Sequence, residues 1–115
     1  VRHRVQSVSE LLWAEASAVD AADTLPSGHL EAFSAAGLYG IFAPVDEGGL
    51  GLGFPEMCAV VEELASACVA TTFVWVQHLR FLSSMLDPTT GADLRDRWRA
   101  PAITGASKGG VALTG

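Results

Sequence analysis

Residues 37–53 read "GLYGIFAPVDEGGLGLG", with six glycines and one proline. A regular helix or strand does not run through such a stretch, because glycine loses much backbone entropy on ordering and proline has no N–H to give. The apolar residues on either side recur at helical spacing. The chain therefore either carries a phosphate-binding loop that opens onto a helix, or is a helical body turned back on itself at this point. Spacing separates the two. A dinucleotide fingerprint needs glycines at relative positions one, three and six after a strand. Counting from Gly49 and Gly51 puts Phe54 in the last of these, and counting from Gly51 and Gly53 puts Glu56 there. A P-loop closes with Gly-Lys-Ser/Thr, and the only lysine is the distant Lys108. Gly48, Gly49, Gly51 and Gly53 instead permit positive φ and close backbone approach, while Pro44 holds Ala43 extended. Leu50, Leu52 and Phe54 alternate so as to tuck into the body as the chain reverses. The loop is predicted to be architecture.

The remainder reads as helices. Val5, Val8, Leu12 and Val19 share a face, with Glu10, Glu15 and Asp20 off it. Ser7 with Glu10 resembles a capping box, which places Val5 just outside the first helix. A second, short helix has Pro26 in its first turn, Leu30 and Phe33 on one face, and Gly37 to end it. A third begins at Pro55, with Met57, Val60, Val61, Leu64 and Cys68 as its stripe and Glu56 favourably placed in the first turn. The fourth, over 71–86, is apolar nearly all round, which predicts burial between other elements; Pro88 closes it. In a fifth, over 92–99, Leu94 and Trp98 lie one turn apart and Asp93 faces Arg97. After Pro101 the helical period disappears, and glycines lead into "VALT", which prefers a strand. The fold class is all-α, a bundle of about five helices handing over to a strand at its end.

Half of the residues are hydrophobic and only 17% are charged, enough apolar material for one folded domain rather than a disordered chain. The net charge of −6 gives no footprint for nucleic acid. Arg95, Arg97 and Arg99 form the one tight basic group, and Asp93 and Asp96 interleave with them as on a solvated helix face. Cys58 and Cys68 stand ten residues apart without the partners of a metal site, which fits free thiols in a reducing cytoplasm, with a disulfide between them as the alternative. The opening "VRHRVQSVSE" has no signal-peptide core, and the apolar run over 69–86 is broken by Gln77, His78 and Arg80, against a membrane span. A chain that begins at valine and stops in "GGVALTG" reads as a piece of a longer protein.

"AAGLYGIFAPVDEGGLGLG" followed by "CAVVEELASA" resembles the amino-terminal helical domain of the acyl-CoA dehydrogenase family, in which a proline precedes an acidic GG-x-G loop and an "EEL" helix follows. "VQHLRFL" resembles that family's next helix, and "GADLRDRW" its G-T-x-E-Q-K-x-x-Y helix with Trp98 in the aromatic place. "GASKGGVALTG" is similar to G-E-x-x-G-x-F-A-L-T-E, the lead-in to the flavin-binding β-domain. From His78 to Thr114 the spacing fits without a gap, and the resemblance covers residues 5–115. Gly115 stands for the family's glutamate, Val111 for a bulkier aromatic, and "SACVA" where an acidic residue is expected. The resemblance implies residues 1–104 as the helical domain and 105–115 as the start of a β-domain.

It also implies FAD as cofactor and an acyl-CoA as substrate, with α,β-desaturation of the thioester. In the family the catalytic base and most FAD contacts lie in later domains, so this segment would form one wall of the site. By motif match Val111, Leu113 and Thr114 lie beside the flavin, Thr114 toward its pyrimidine edge; otherwise "VALT" is simply a core strand. Phe73, Val74, Gln77 and Phe81 share a helix face where the family lines its acyl pocket, or else pack as ordinary core. His78, lone on an apolar helix, reads as a satisfied core residue, and Trp75 and Trp98 as packing anchors. Asp46 and Glu47 read as solvated turn residues. No metal, nucleic acid or membrane partner is expected; a homo-oligomer (dimer or tetramer) or a heteromer with a related chain is. Two alternatives stay open. A flavin-dependent monooxygenase of the same fold would suit the aromatic-rich "TTFVWVQH", and a non-catalytic helical module would act by association.

Overall fold

A computed structural model describes residues 1–113. Five helices follow in order: α1 (Arg2–Ala21), α2 (Ser27–Ala35), α3 (Phe54–Ala67), α4 (Val69–Leu86) and α5 (Ala92–Thr104). Short 3₁₀ turns at Leu38–Gly40 and Val45–Glu47 lie between α2 and α3. The all-α bundle of five helices is as the sequence predicts. Helix α1 packs on α3, α3 on α4 and α4 on α5, while α2 and the first 3₁₀ turn close one side.

Trp75 of α4 is fully buried at the centre. Its indole N–H donates to the Leu38 carbonyl at 3.1 Å, and Phe33 of α2 meets its ring edge-on at 5.3 Å. One aromatic side chain thus fixes α4 against α2 and the turn that follows it, as expected of an anchor. Trp98 is half-buried against a second cluster of Ala43, Leu82, Met85, Ala102 and Ile103.

Four expectations about the helices and the tail need correction. Helix α1 begins at Arg2, five residues before Ser7, so there is no capping box there. The Ser7 hydroxyl bonds back to the His3 carbonyl, and Val5, 2% exposed, is part of the buried stripe that draws the helix backward. Helix α5 continues through Pro101, because burying Ala102 and Ile103 outweighs one missing hydrogen bond; Gly105, at φ 80°, ends it. Helix α4 is buried on one side only, and Val69, Phe73 and Val74 stand exposed on the other. No strand forms among the described residues, since residues 111–113 have no neighbouring strand to take their backbone bonds.

The glycine loop turns its amides inward. Those of Gly49, Leu50, Gly51 and Leu52 donate to the carbonyls of Pro44, Gly40, Ala43 and Ile41 at 2.9–3.0 Å. A phosphate would find none of them free. Gly48 and Gly51 take the left-handed conformation, and a Cβ on Gly49 would sit 2.2 Å from the Ala43 carbonyl oxygen. Leu50 and Leu52 pack on the core as predicted, but Phe54 opens α3 and is 72% exposed. Glu47, expected to be solvated, takes both Arg99 Nε and Nη2 at 3.2 and 2.7 Å, and Arg99 Nη1 reaches the Met85 carbonyl. The pair ties the loop to the ends of α4 and α5. Among the described residues Glu15 also meets the His29 ring, and the expected Asp93–Arg97 pair does not close. No helix among the described residues is long and apolar enough to cross a membrane.

Helices α3 and α4 meet at a single residue. Cys68, extended at φ −156° and ψ 104°, ends the first and begins the second. Both cysteines are free thiols, Cys68 buried and Cys58 partly so.

Candidate functional site

The outer face of α4 follows from its period: with Trp75, His78, Leu79 and Leu82 turned into the core, Phe73, Val74, Gln77 and Phe81 fall on the other side. Phe73 is 65% exposed and Val74 41%, while Gln77 and Phe81 are half-covered. The cover is the chain's own tail. Beyond Gly105 the backbone folds back, Ser107 N–H donating to the Pro101 carbonyl at 3.1 Å. Lys108 caps the Gly105 carbonyl and sits 5.1 Å from the centre of the Tyr39 ring. The Gly109 amide then donates to His78 Nδ1 at 3.1 Å, and the Val111 amide to Gln77 Oε1 at 3.4 Å.

The two groups of residues singled out in the sequence therefore meet. Gln77 and Phe81 lie under residues 109–111, with Phe73 and Val74 on the same exposed side of the helix. Val111 is 47% exposed and Leu113 92%, apolar side chains presented outward at the end of the described chain. Thr114 lies outside the described residues. Leu79 and Ser83, on the opposite flank of α4, border an open apolar cleft of about 360 Å³ with Phe42, Phe54 and Met57.

His78 is buried and satisfied, as expected of a core histidine, and both ring nitrogens have partners. Nε2 donates to the Ala102 carbonyl at 2.8 Å, leaving Nδ1 to accept the Gly109 amide. Burial lowers its pKa and Lys108 lowers it further, against the opposing pull of the Ala102 carbonyl, so the ring is held neutral. Tyr39 packs edge-on against it at 4.7 Å. The Tyr39 hydroxyl is buried without a partner, and desolvation pushes its pKa up to about 12.

A second polar chain was not foreseen. His29, 1% exposed on α2, holds Glu15 of α1 through Nε2 and Thr71 of α4 through Nδ1 at 3.2 Å, and Cys68 Sγ lies 3.4 Å from the same hydroxyl. Thr71 is fully buried, so the chain knits three helices and offers no substrate access to its hydroxyl. Its partners lie 14 and 42 residues from His29, and no local spacing announces them.

Five helices, a self-bonded glycine loop after the second, and a glycine-bearing tail laid on the fourth define a helical domain that leaves one apolar helix face and the last described residues on the same side. The sequence places that domain. The chain belongs to the acyl-CoA dehydrogenase family, whose N-terminal domain model matches residues 2–106. No curated protein and no solved structure gives a match.

Proposed function

We propose that this chain supplies the helical wall of the acyl and flavin site in an FAD-dependent enzyme that desaturates an acyl-CoA thioester between its α and β carbons. The observation that carries the proposal is the docking of residues 109–111 on α4, with Gly109 against Phe81 and the Val111 amide on Gln77, beside the outward-facing Phe73 and Val74. An exposed apolar edge at Val111 and Leu113 fits the flat face of a flavin ring, and the exposed apolar face of α4 fits a hydrocarbon chain. When bound, FAD would supply the acceptor for the β-hydrogen, as hydride.

This chain's own part is binding and the exclusion of water. Phe73, Val74 and Phe81 would line the acyl tail. Gln77, whose Oε1 is taken by the Val111 amide, would offer Nε2 to a polar group of the substrate. Val111 and Leu113 would flank the flavin, and Thr114 its pyrimidine edge. The catalytic base would come from a later domain. On the same proposal residues 1–104 form the helical domain and 105–115 lead into a β-domain, with Gly105 turning the chain between them. Like or related chains would complete a dimer or tetramer, in the cytoplasm that the free thiols suit.

The test is anaerobic addition of acyl-CoAs of graded chain length to the full-length flavoprotein. Bleaching of the flavin absorbance by at least one of them is the expected result; no bleaching by any overturns the proposal. Oxygen-dependent hydroxylation with supplied reduced flavin would replace it with monooxygenase chemistry. Half of the aromatic case for that chemistry is already gone, because Trp75 is sealed in the core and cannot reach the α4 face.

A further inference from the structure

We propose that His78 is a positioning residue, a neutral imidazole that fixes the backbone of residues 109–111 on α4 and so sets where Val111 and Leu113 stand. The positioning rests on geometry alone; its consequence for flavin rests on the function proposed above.

The ring lies between two groups that have no choice of role. The Ala102 carbonyl can only accept, so the nitrogen 2.8 Å from it carries the proton. The Gly109 amide can only donate, so the nitrogen 3.1 Å from it must be bare. Of the three protonation states open to imidazole, one satisfies both. A histidine that merely filled the core would need only the first bond. The ring cannot swing away, because Tyr39 and Phe81 meet it edge-on at 4.7 and 5.7 Å.

The segment is shaped to reach it. A Cβ on Gly109 would lie 2.3 Å from Phe81 Cβ, so only glycine brings its amide this close to the ring. Two residues on, the Val111 amide takes the side chain next to His78, at Gln77 Oε1. Amides of alternate residues are thus held by neighbouring side chains of one helical turn, which fixes the register of the segment. Because Ala102 belongs to α5, the one ring fastens α4, α5 and the tail together.

Two substitutions separate the bonds. His78→Asn keeps an acceptor near the Nδ1 position, and His78→Gln keeps a donor near Nε2. In the full-length protein, His78→Gln should speed hydrogen exchange at the Gly109 amide about tenfold or more and weaken FAD binding by a similar factor, while His78→Asn changes both by less than about threefold. Equal effects of the two variants on Gly109 exchange would overturn the proposal. Should either variant fail to fold, the nitrogen NMR spectrum of His78 in the unaltered protein decides: a protonated Nε2 with bare Nδ1 supports the assignment, and a protonated Nδ1 refutes it. If the unaltered protein takes up no flavin, the function proposed above fails, while Gly109 exchange still decides the role of His78.

Discussion

Gly48 and Gly49 are neighbours in the loop, and replacing each by alanine should cost stability for different reasons and by different amounts. At Gly48 an added Cβ meets nothing within 4 Å, but φ is 92°. The penalty there is the left-handed backbone alone, about 1–2 kcal/mol. At Gly49 φ is not positive, yet the Cβ would lie 2.2 Å from the Ala43 oxygen and 2.5 Å from its carbonyl carbon. Backbone must move. The amide bonds of Leu50, Gly51 and Leu52 to Gly40, Ala43 and Ile41 cross the same gap. At about 0.5–1.5 kcal/mol each, losing two or three of them costs about 1–4.5 kcal/mol. Lifting the half-buried Leu50 and Leu52 adds to this, so Gly49→Ala should cost about 3 kcal/mol or more. Urea unfolding of the full-length protein, followed by tryptophan fluorescence, measures both. Two further variants sharpen the test. Gly48→Asn should recover part of the Gly48→Ala loss, because asparagine tolerates the left-handed region. Ala43→Gly should not rescue Gly49→Ala, because the clash is with the carbonyl and not only with the Ala43 side chain, 2.6 Å away. A Gly49→Ala loss no larger than that of Gly48→Ala, or rescue by Ala43→Gly, would refute the account of the loop as a self-bonded turn.

Tyr39→Phe should be neutral or stabilising by up to about 1 kcal/mol, since it removes a buried hydroxyl without a partner; a loss of more than about 1 kcal/mol in urea would show that the hydroxyl is satisfied after all. Stability should also fall on acidification through His78. Its folded pKa lies below the ordinary value, so the unfolded chain binds the proton first; the contribution is complete above about pH 6.5 and is lost as pH falls through the lowered folded value. Urea midpoints at stepped pH check this, and an undiminished pH slope in His78→Asn would assign the loss to another group.

Helix periodicity made most of the bundle legible, because burial imposes it directly on the sequence. Val5, Val8, Leu12 and Val19 are buried on α1, as are Val60 and Leu64 on α3. The misreadings occurred where a local signal competed with packing. Ser7 and Glu10 had the spacing of a cap inside a helix that packing had already started, and Pro101 looked like a stop within a turn that Ala102 and Ile103 hold. Composition alone gave α4 no exposed side, since an uncovered apolar residue and a core residue look alike in a sequence. Long-range polar contacts left no local trace: Glu47 finds Arg99 across 52 residues. Of the site, the shared face of Phe73, Val74, Gln77 and Phe81 follows from helical spacing. That the Val111 amide comes to Gln77, 34 residues away, was not legible, because neither residue's local pattern names the other.

Cys68 leaves α3 and α4 just two backbone torsions with which to adjust to each other. Slippage between them is therefore closed off, and the phase of α4 is dictated from its first residue. One amino acid inserted just inside the start of α4 would advance every later side chain by about 100° relative to that elbow. The indole now sealed inside would roll toward solvent, and a different set of side chains would greet whatever approaches from outside.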